Sequence, residues 1–183
     1  MIYFETERLI ARDYLTNDYL PFSQMNADEQ VMKYFPARLT QNESNAFLDR
    51  IQEELKSLGY GLFAIEVKST GEFIGFTGFH EATFEATFTP CTEIGWRLKH
   101  SAWNQGYATE AALGALALAE EINTINEIYS FTAALNKPSE NVMKKIHLTN
   151  VMKKIHLTKI ATFEHPALVN GDPLKPHVLY KKA

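Results

Sequence analysis

The amino-acid sequence predicts an α+β domain: a mixed, mostly antiparallel sheet of six to seven strands with about four helices. Three observations carry this. Residues 61–67 and 72–79 are β-rich runs joined by Lys68-Ser69-Thr70-Gly71, which reads as a hairpin, and a Thr- and Phe-rich connection leads on to a third run at 93–98. Residues 93–98, 106–122 and 128–133 read as strand, long apolar helix and strand, a crossover that sets its two strands parallel. Two segments ahead of the hairpin carry apolar residues at helical spacing.

The elements follow in order. Leu9-Ile10-Ala11-Arg12 reads as a short first strand. Asn17 or Asp18 offers an N-cap to a helix carrying Tyr19, Leu20, Phe22 and Met25. A second helix starts after Thr40 with Asn42 or Ser44 as cap, repeats Phe47, Ile51, Leu55 and Leu58, and stops at Gly59. The linker Lys33-Tyr34-Phe35-Pro36 between them is unusually apolar and reads either as a pinned loop or as part of a pocket wall. After the strand at 128–133, Asn136-Lys137-Pro138-Ser139 opens another helix, with proline where a helix tolerates it. The tail holds Phe163-Glu164-His165-Pro166, a turn at 170–173 and a last strand at 177–180.

With 183 residues, 45% hydrophobic and 22% charged, the chain fits one domain spanning 1–183 with a proper core. A net charge of −4 and the lack of a Lys/Arg run argue against a nucleic-acid partner. The lone cysteine, Cys91, excludes an internal disulfide and a paired-cysteine metal site; with no activating cation evident nearby it reads as a strand-end residue. No histidine pair has zincin spacing, so no metal is expected, and His80, at a strand end, reads as structural although it could reach a pocket. The first residues lack a signal-peptide core and the apolar helix at 108–119 is too short to span a bilayer, so a cytoplasmic protein without a membrane partner is expected.

Residues 141–149 read Asn-Val-Met-Lys-Lys-Ile-His-Leu-Thr, and residues 150–158 repeat them without change. Nine residues advance a helix by roughly two and a half turns, so the second apolar set would face away from the first if both stayed in one helix. One copy is expected to form the native helix end. The other is expected to be a loop, a redirected helix or an element exchanged between subunits, which leaves a homodimer open.

The chemistry gathers in 93–121. A strand that passes through a small-residue turn into a helix at Asn104-Gln105-Gly106-Tyr107-Ala108 leaves several backbone N–H groups unpaired at the positive helix end, a site for phosphate or pyrophosphate. In the strand, Ile94, Trp96 and Leu98 face one way and Glu93, Gly95 and Arg97 the other. Gly95 allows close approach of a ligand or another backbone. Glu93, roughly 13 Å along the strand from Arg97, is too far to pair with it and reads as a solvated strand-end carboxylate or as a general base. In the helix, Ala108, Ala111, Ala112, Ala115, Leu116 and Ala119 recur at helical spacing and make a mostly small-residue face that lets the helix lie close on the sheet.

In combination, Glu93-Ile94-Gly95-Trp96-Arg97-Leu98, the segment 102–111 and Asn136-x-Pro138-Ser139-x-x-Val142-Met143-x-Lys145 resemble the GCN5-related N-acetyltransferase (GNAT) superfamily. Thr6-Glu7-Arg8-Leu9 and the tail from Phe163 to Tyr180 resemble its branch of ribosomal-protein N-terminal acetyltransferase-like enzymes. The resemblance implies a GNAT fold splayed between its central parallel strands and acetyl-CoA as co-substrate in the splay. The pantetheine arm would pair with Ile94, Trp96 and Leu98, and the pyrophosphate would sit on the N–H groups of Asn104, Gln105, Gly106, Tyr107, Ala108 and Thr109. Asn136 would hydrogen-bond the arm, Ser139 would lie near the thioester sulfur, and Glu93 and Ser139 are the candidate catalytic residues.

The family's phosphate loop usually reads Arg/Gln-x-x-Gly-x-Gly/Ala, and here Ser101 and Asn104 replace its first residue and first glycine. Asn tolerates left-handed backbone angles, so the loop is expected to survive. Met143 stands where many members carry a tyrosine acid, leaving thiolate protonation to Ser139 or water. Ile146-His147-Leu148 replaces the usual Leu-Gly-Phe/Met. The implied activity is acetyl transfer to a primary amine, on a protein N-terminus or on a small molecule such as a polyamine or aminoglycoside. The alternative is a CoA-binding regulatory domain whose acceptor side the duplication has damaged.

Overall fold

In the computed structural model, which describes residues 1–122, 125, 127–149 and 157–182, the strands are β1 (Ile2–Glu5), β2 (Leu9–Arg12), β3 (Leu62–Val67), β4 (Glu72–Ala82), β5 (Cys91–Leu98), β6 (Ile128–Ala133), β7 (Leu157–Glu164) and β8 (Pro176–Lys182). The helices are α1 (Tyr19–Ala27), α2 (Glu29–Met32), α3 (Gln41–Leu58), α4 (Tyr107–Glu121) and α5 (Lys137–Thr149). The strands form one sheet in the order β1-β2-β3-β4-β5-β6-β8-β7, antiparallel throughout except at β5–β6.

The α+β class, the hairpin and the parallel crossover are as the sequence predicts; the described sheet has one more strand than the upper expectation. The addition is β1, which pairs with β2 from Ile2↔Arg12 to Glu5↔Ile10. Four residues with glutamate at one end give little alternation to read. Tertiary contacts hold it instead: the Phe4 ring meets Phe63 edge-on at 5.8 Å and lies where a side chain on Gly114 of α4 would have to be. The extra helix, α2, is a single turn capped by Asp28 Oδ1, which accepts from Gln30 N at 2.7 Å and Val31 N at 3.2 Å.

Two cap assignments are corrected. Thr40 itself caps α3: its Oγ1 accepts from Glu43 N at 3.3 Å while Glu43 Oε2 accepts from Thr40 N at 2.8 Å, a capping box that the Asn42 and Ser44 readings overlooked. Asp18 precedes α1 but does not cap it; its carboxylate is bound by Arg12 at 2.6 and 3.1 Å and accepts from Leu15 N. Gly59 ends α3 at φ 75° as read.

The core runs along the sheet, with Leu9, Phe63, Ile65, Phe79, Ile94 and Ile128 essentially inaccessible. Burial of that apolar surface is the main favourable contribution to folding. Helix α4 buries Ala111, Ala112, Ala115 and Ala119, so its small-residue face lies against the sheet as predicted. The α1–α3 pair covers the face carrying Phe76, whose ring lies 5.9 Å from Phe22 and 6.1 Å from Phe47.

The first copy of the duplicated segment lies within α5, where Met143 and Ile146 are buried. The last two residues of the second copy, Leu157 and Thr158, open β7, with Leu157 fully buried. Residues 150–156 lie outside the described residues.

Candidate active site

Strands β5 and β6 pair only at Thr92↔Ile128 and Glu93↔Tyr129, although β5 continues to Leu98 and β6 to Ala133. Beyond that point they part into a wedge. At the fork, Ser130 Oγ donates to Ile94 O at 3.0 Å, so the backbone of Ile94 points into the gap. Period two then puts the N–H and C=O of Trp96 on the same edge, where no strand among the described residues pairs with them. The edge ends at Leu98 O, which accepts from Trp103 Nε1 at 2.9 Å. A Cβ on Gly95 would meet nothing within 4 Å, so the strand floor is open there. The wedge belongs to a cavity of about 650 Å³ lined by β5, β6, the starts of α4 and α5, and residues of α3.

One end of the cavity is the turn into α4. Asn104 takes φ 59° and Gly106 φ 84°, so asparagine does hold the left-handed angle where the usual pattern has glycine. Gly106 is the N-cap and supplies no side chain; the first helical bond is Glu110 N to Gly106 O at 3.0 Å. The N–H groups of Tyr107, Ala108 and Thr109 therefore have no acceptor in the helix, and these three residues line the cavity. Lys145 from α5 lines the same end.

Arg8 braces this turn from the N-terminal segment, a role not legible in the sequence. Its Nη1 donates to Gln105 O at 3.0 Å, its Nε to Glu110 Oε2 at 2.7 Å, and its guanidinium lies 4.6 Å from the Tyr107 ring centroid. Thr6 Oγ1 and Arg8 N donate to Glu110 Oε1. Burial alone would raise the Glu110 pKa, but these hydrogen bonds and the Arg8 charge hold it below the usual glutamate value.

Every predicted site residue except Gln105 lines the cavity: Glu93, Ile94, Trp96, Leu98, Asn104, Gly106, Tyr107, Ala108, Thr109, Asn136 and Ser139. The Gln105 side chain instead donates to Ser101 O at 2.9 Å. Asn136 caps α5, its Oδ1 accepting from Ser139 N at 3.2 Å and its Nδ2 donating to Thr132 Oγ1 at 3.0 Å. Met143 is buried in the core and does not line the cavity.

Glu93 is 9% exposed, so it is no solvated strand-end carboxylate. Its Oε2 lies 3.1 Å from Nε2 of His80, the residue across from it on β4, and both line the cavity. Burial works against a charged His80, but the Glu93 hydrogen bond and charge, with the charge of Glu54, outweigh it and the His80 pKa is raised. His80 Nδ1 is buried with no hydrogen-bond partner among the described residues. Cys91 is unsuited to thiolate chemistry: burial first, then the Glu93 and Glu127 charges, push its pKa up to about 11.

Tyr34, Phe35 and Pro36 line the cavity, so the apolar linker is wall. Beside them is Arg97, whose guanidinium carbon lies 4.1 Å from the Phe35 ring centroid, 5.4 Å from Phe76 and 5.9 Å from Phe47. Nothing in the sequence singles out Arg97 beyond its sharing a strand face with Glu93 and Gly95. No group of three or more His, Cys, Asp or Glu that could hold a metal ion occurs among the described residues. No described helix is long and apolar enough to cross a membrane.

Comparison with known proteins agrees with this geometry. A family model described as an acetyltransferase (GNAT) domain matches residues 8–149. The chain is 28% identical over 146 residues to the uncharacterized N-acetyltransferase YnaD of Bacillus subtilis, covering 79% of this chain and 81% of that protein. A GNAT-family acetyltransferase structure from Bacillus anthracis superposes with a TM-score of 0.75 at 24% identity, over 99% of this chain and 97% of that one. RimL, a ribosomal L7/L12 alpha-N-protein acetyltransferase solved in complex with coenzyme A, shares the fold with a TM-score of 0.74 at 15% identity, over 99% and 97% of the two chains. The match across 8–149 bears out the resemblance carried by the strand, loop and helix motifs, and this chain belongs to the GNAT family of acyltransferases.

Proposed function

We propose that this protein is an acetyl-CoA-dependent N-acetyltransferase that moves an acetyl group to a primary amine in a ternary complex. The supporting observation is the wedge, whose unpaired edge at Trp96 joins the uncapped helix end at 107–109 to the Glu93–His80 pair. An extended thioester donor fits that shape. The N–H groups of the 104–109 turn suit its pyrophosphate, and the β5 edge at Ile94, Trp96 and Leu98 suits its amide-bearing arm as an added strand. Asn136 keeps one amide hydrogen beyond its bond to Thr132, enough for one contact to that arm.

The chemistry then balances within the cavity. The amine nitrogen forms a C–N bond at the acetyl carbonyl as the C–S bond breaks. Glu93 removes the ammonium proton before attack, directly or through His80, and the second proton, lost from nitrogen as the C–S bond breaks, passes by way of Ser139 or water to the leaving thiolate. A protein N-terminus is one acceptor in this reading and a small-molecule amine another. The test is release of CoA thiol from acetyl-CoA against an amine panel, beside Glu93→Gln and with CoA binding measured by calorimetry. Turnover that Glu93→Gln lowers by about 10²-fold or more is expected, the low end of a general acid–base contribution. CoA binding without turnover on any amine would replace the proposal with a non-catalytic CoA-binding role, and absence of CoA binding would sink both.

A further inference from the structure

Two arginines sit on sheet strands, Arg12 buried and Arg97 half-buried in the cavity wall, and they are treated differently. Arg12 is paired twice, with Asp18 at 2.6 Å and Glu66 at 2.7 Å. Arg97 pairs with no carboxylate among the described residues: Nη1 donates to the neutral Asn26 Oδ1 at 2.6 Å and Nε is buried without a partner. Burial pulls its pKa down to about 10 with no nearby charge to restore it. A partly desolvated charge without a counter-ion is costly, and the ring cup of Phe35, Phe47 and Phe76 meets only part of that cost.

The surroundings give the cavity a direction. Phe76 faces Arg97 across the strands and His80 faces Glu93. Between them on β5, Gly95 is open, while its β4 neighbour Gly78 is packed under Gly61 O, so the strip from the Glu93–His80 end to the Arg97 end runs along β5. Helix α3 repeats the same polarity above it. Arg50 lies over Phe47, a ring it shares with Arg97, and Glu54, one turn on, acts on His80. Both walls are thus positive at one end and negative at the other.

We infer that the acceptor carries, besides its amine, a carboxylate that Arg97 receives at the far end of this strip. The inference rests on the N-acetyltransferase reading and narrows its acceptor. Glu93 and Arg97 are four strand residues apart, roughly 13 Å between Cα atoms. An amine and a carboxylate that fill both ends are separated by about 10 Å, the span of about three extended residues. A peptide N-terminus with a carboxylate near its third residue fits. A free amino acid is too short, and a polyamine or aminoglycoside offers only cations to Arg97. A planar guanidinium suits the carboxylate through two parallel hydrogen bonds.

The experiment compares acetyl transfer to Ala-Ala-Glu amide and to its neutral isostere Ala-Ala-Gln amide, with free Ala-Ala-Ala, its amide and spermidine alongside. The expected result is that kcat/KM for Ala-Ala-Glu amide exceeds that for Ala-Ala-Gln amide by about tenfold, and that Arg97→Gln erases the ratio while Arg97→Lys restores part of it. The free Ala-Ala-Ala arm separates a terminal carboxylate from a side-chain one. Equal rates for acid and amide peptides in the wild type, or a preference for spermidine, would overturn the inference. N-acetyl-Ala-Ala-Glu amide binding to the CoA complex, followed by calorimetry, tests the same contact without turnover. A tighter fit than the Gln peptide that Arg97→Gln abolishes supports the inference even if no amine is acetylated; no difference overturns it. Unaltered CoA binding by Arg97→Gln shows the variant is folded.

Discussion

Arg8 and Glu110 close on each other across 102 residues of sequence, Nη2 to Oε2 at 2.6 Å and Nε to the same oxygen at 2.7 Å, and so tie β2's approach to the first turn of α4. The same arginine holds Gln105 O, so the turn that presents the 107–109 amides is braced from outside. Arg8→Met is therefore expected to raise the KM for acetyl-CoA about tenfold with a smaller fall in kcat, since it loosens donor binding and leaves Glu93 and His80 in place. Glu110→Gln should behave alike, and the double variant should be little worse than either, because both remove one network. Steady-state kinetics on the four proteins checks this; additive losses would show the two residues acting separately.

Asn104 at φ 59° occupies a conformation that glycine takes freely and asparagine tolerates. Asn104→Gly is expected to leave stability within about 0.5 kcal/mol and the acetyl-CoA KM nearly unchanged. Asn104→Val, branched at Cβ, is expected to cost about 1–2 kcal/mol and to raise that KM as the turn shifts. Denaturant melts with matched kinetics decide it, and a Val variant as stable as the parent would count against the turn geometry.

The hairpin and the long crossover are legible because each rests on local signals: a Ser-Thr-Gly turn between two β-rich runs, a run of alanines at helical spacing, a proline at a helix start. The wedge entered only through family likeness, since the parting of two strands after Glu93 is a property of the sheet and not of either strand. β1 is silent because its stability comes from Phe63 and Gly114, more than fifty residues away. Arg8, His80 and Arg97 were in view as residue types, yet their roles depend on partners such as Glu110, Glu93 and Asn26 that are brought near only by pairing and packing.

His80 and Glu93 make activity and stability depend on pH in a direction set by their contact. The His80 pKa stands above its ordinary value of 6.5 because the Glu93 hydrogen bond and charge, helped by Glu54, outweigh burial. His177, which also lines the cavity and feels the Glu93 charge, is depressed by its own burial. A raised histidine adds stability that is complete below about 6.5 and lost as pH rises through the folded-state value. The advantage of the wild type over Glu93→Gln should therefore be larger near pH 6 than near pH 9. If His80 relays the proton, kcat should rise with pH through the raised value, and the inflection should move to lower pH in Glu93→Gln. Proton NMR of the His80 ring across the same range checks the assignment, and an inflection unmoved by Glu93→Gln would remove His80 from the pathway.

The duplicated segment divides its work in a way that predicts what removing it does. From the first copy the fold uses Met143 and Ile146, buried in α5; from the second it uses Leu157, buried at the start of β7 and paired with Lys182. Deleting residues 150–158 joins Thr149 directly to Lys159, so the single remaining copy still supplies methionine and isoleucine for the helix and, two residues later, leucine and threonine for the strand. Both buried sets survive if α5 ends near Ile146 and Leu148 takes the place of Leu157. The deletion variant is therefore expected to fold and to bind CoA with an affinity within about threefold of the parent, since the 104–109 turn and the β5 edge lie outside the segment. Circular dichroism, calorimetry with CoA and light scattering on both proteins test it together. A smaller mass for the deletion variant would assign the second copy to an interface between subunits, while an unchanged mass would count against an exchanged element. An unfolded variant would show that the second copy supplies more to this fold than Leu157 and Thr158.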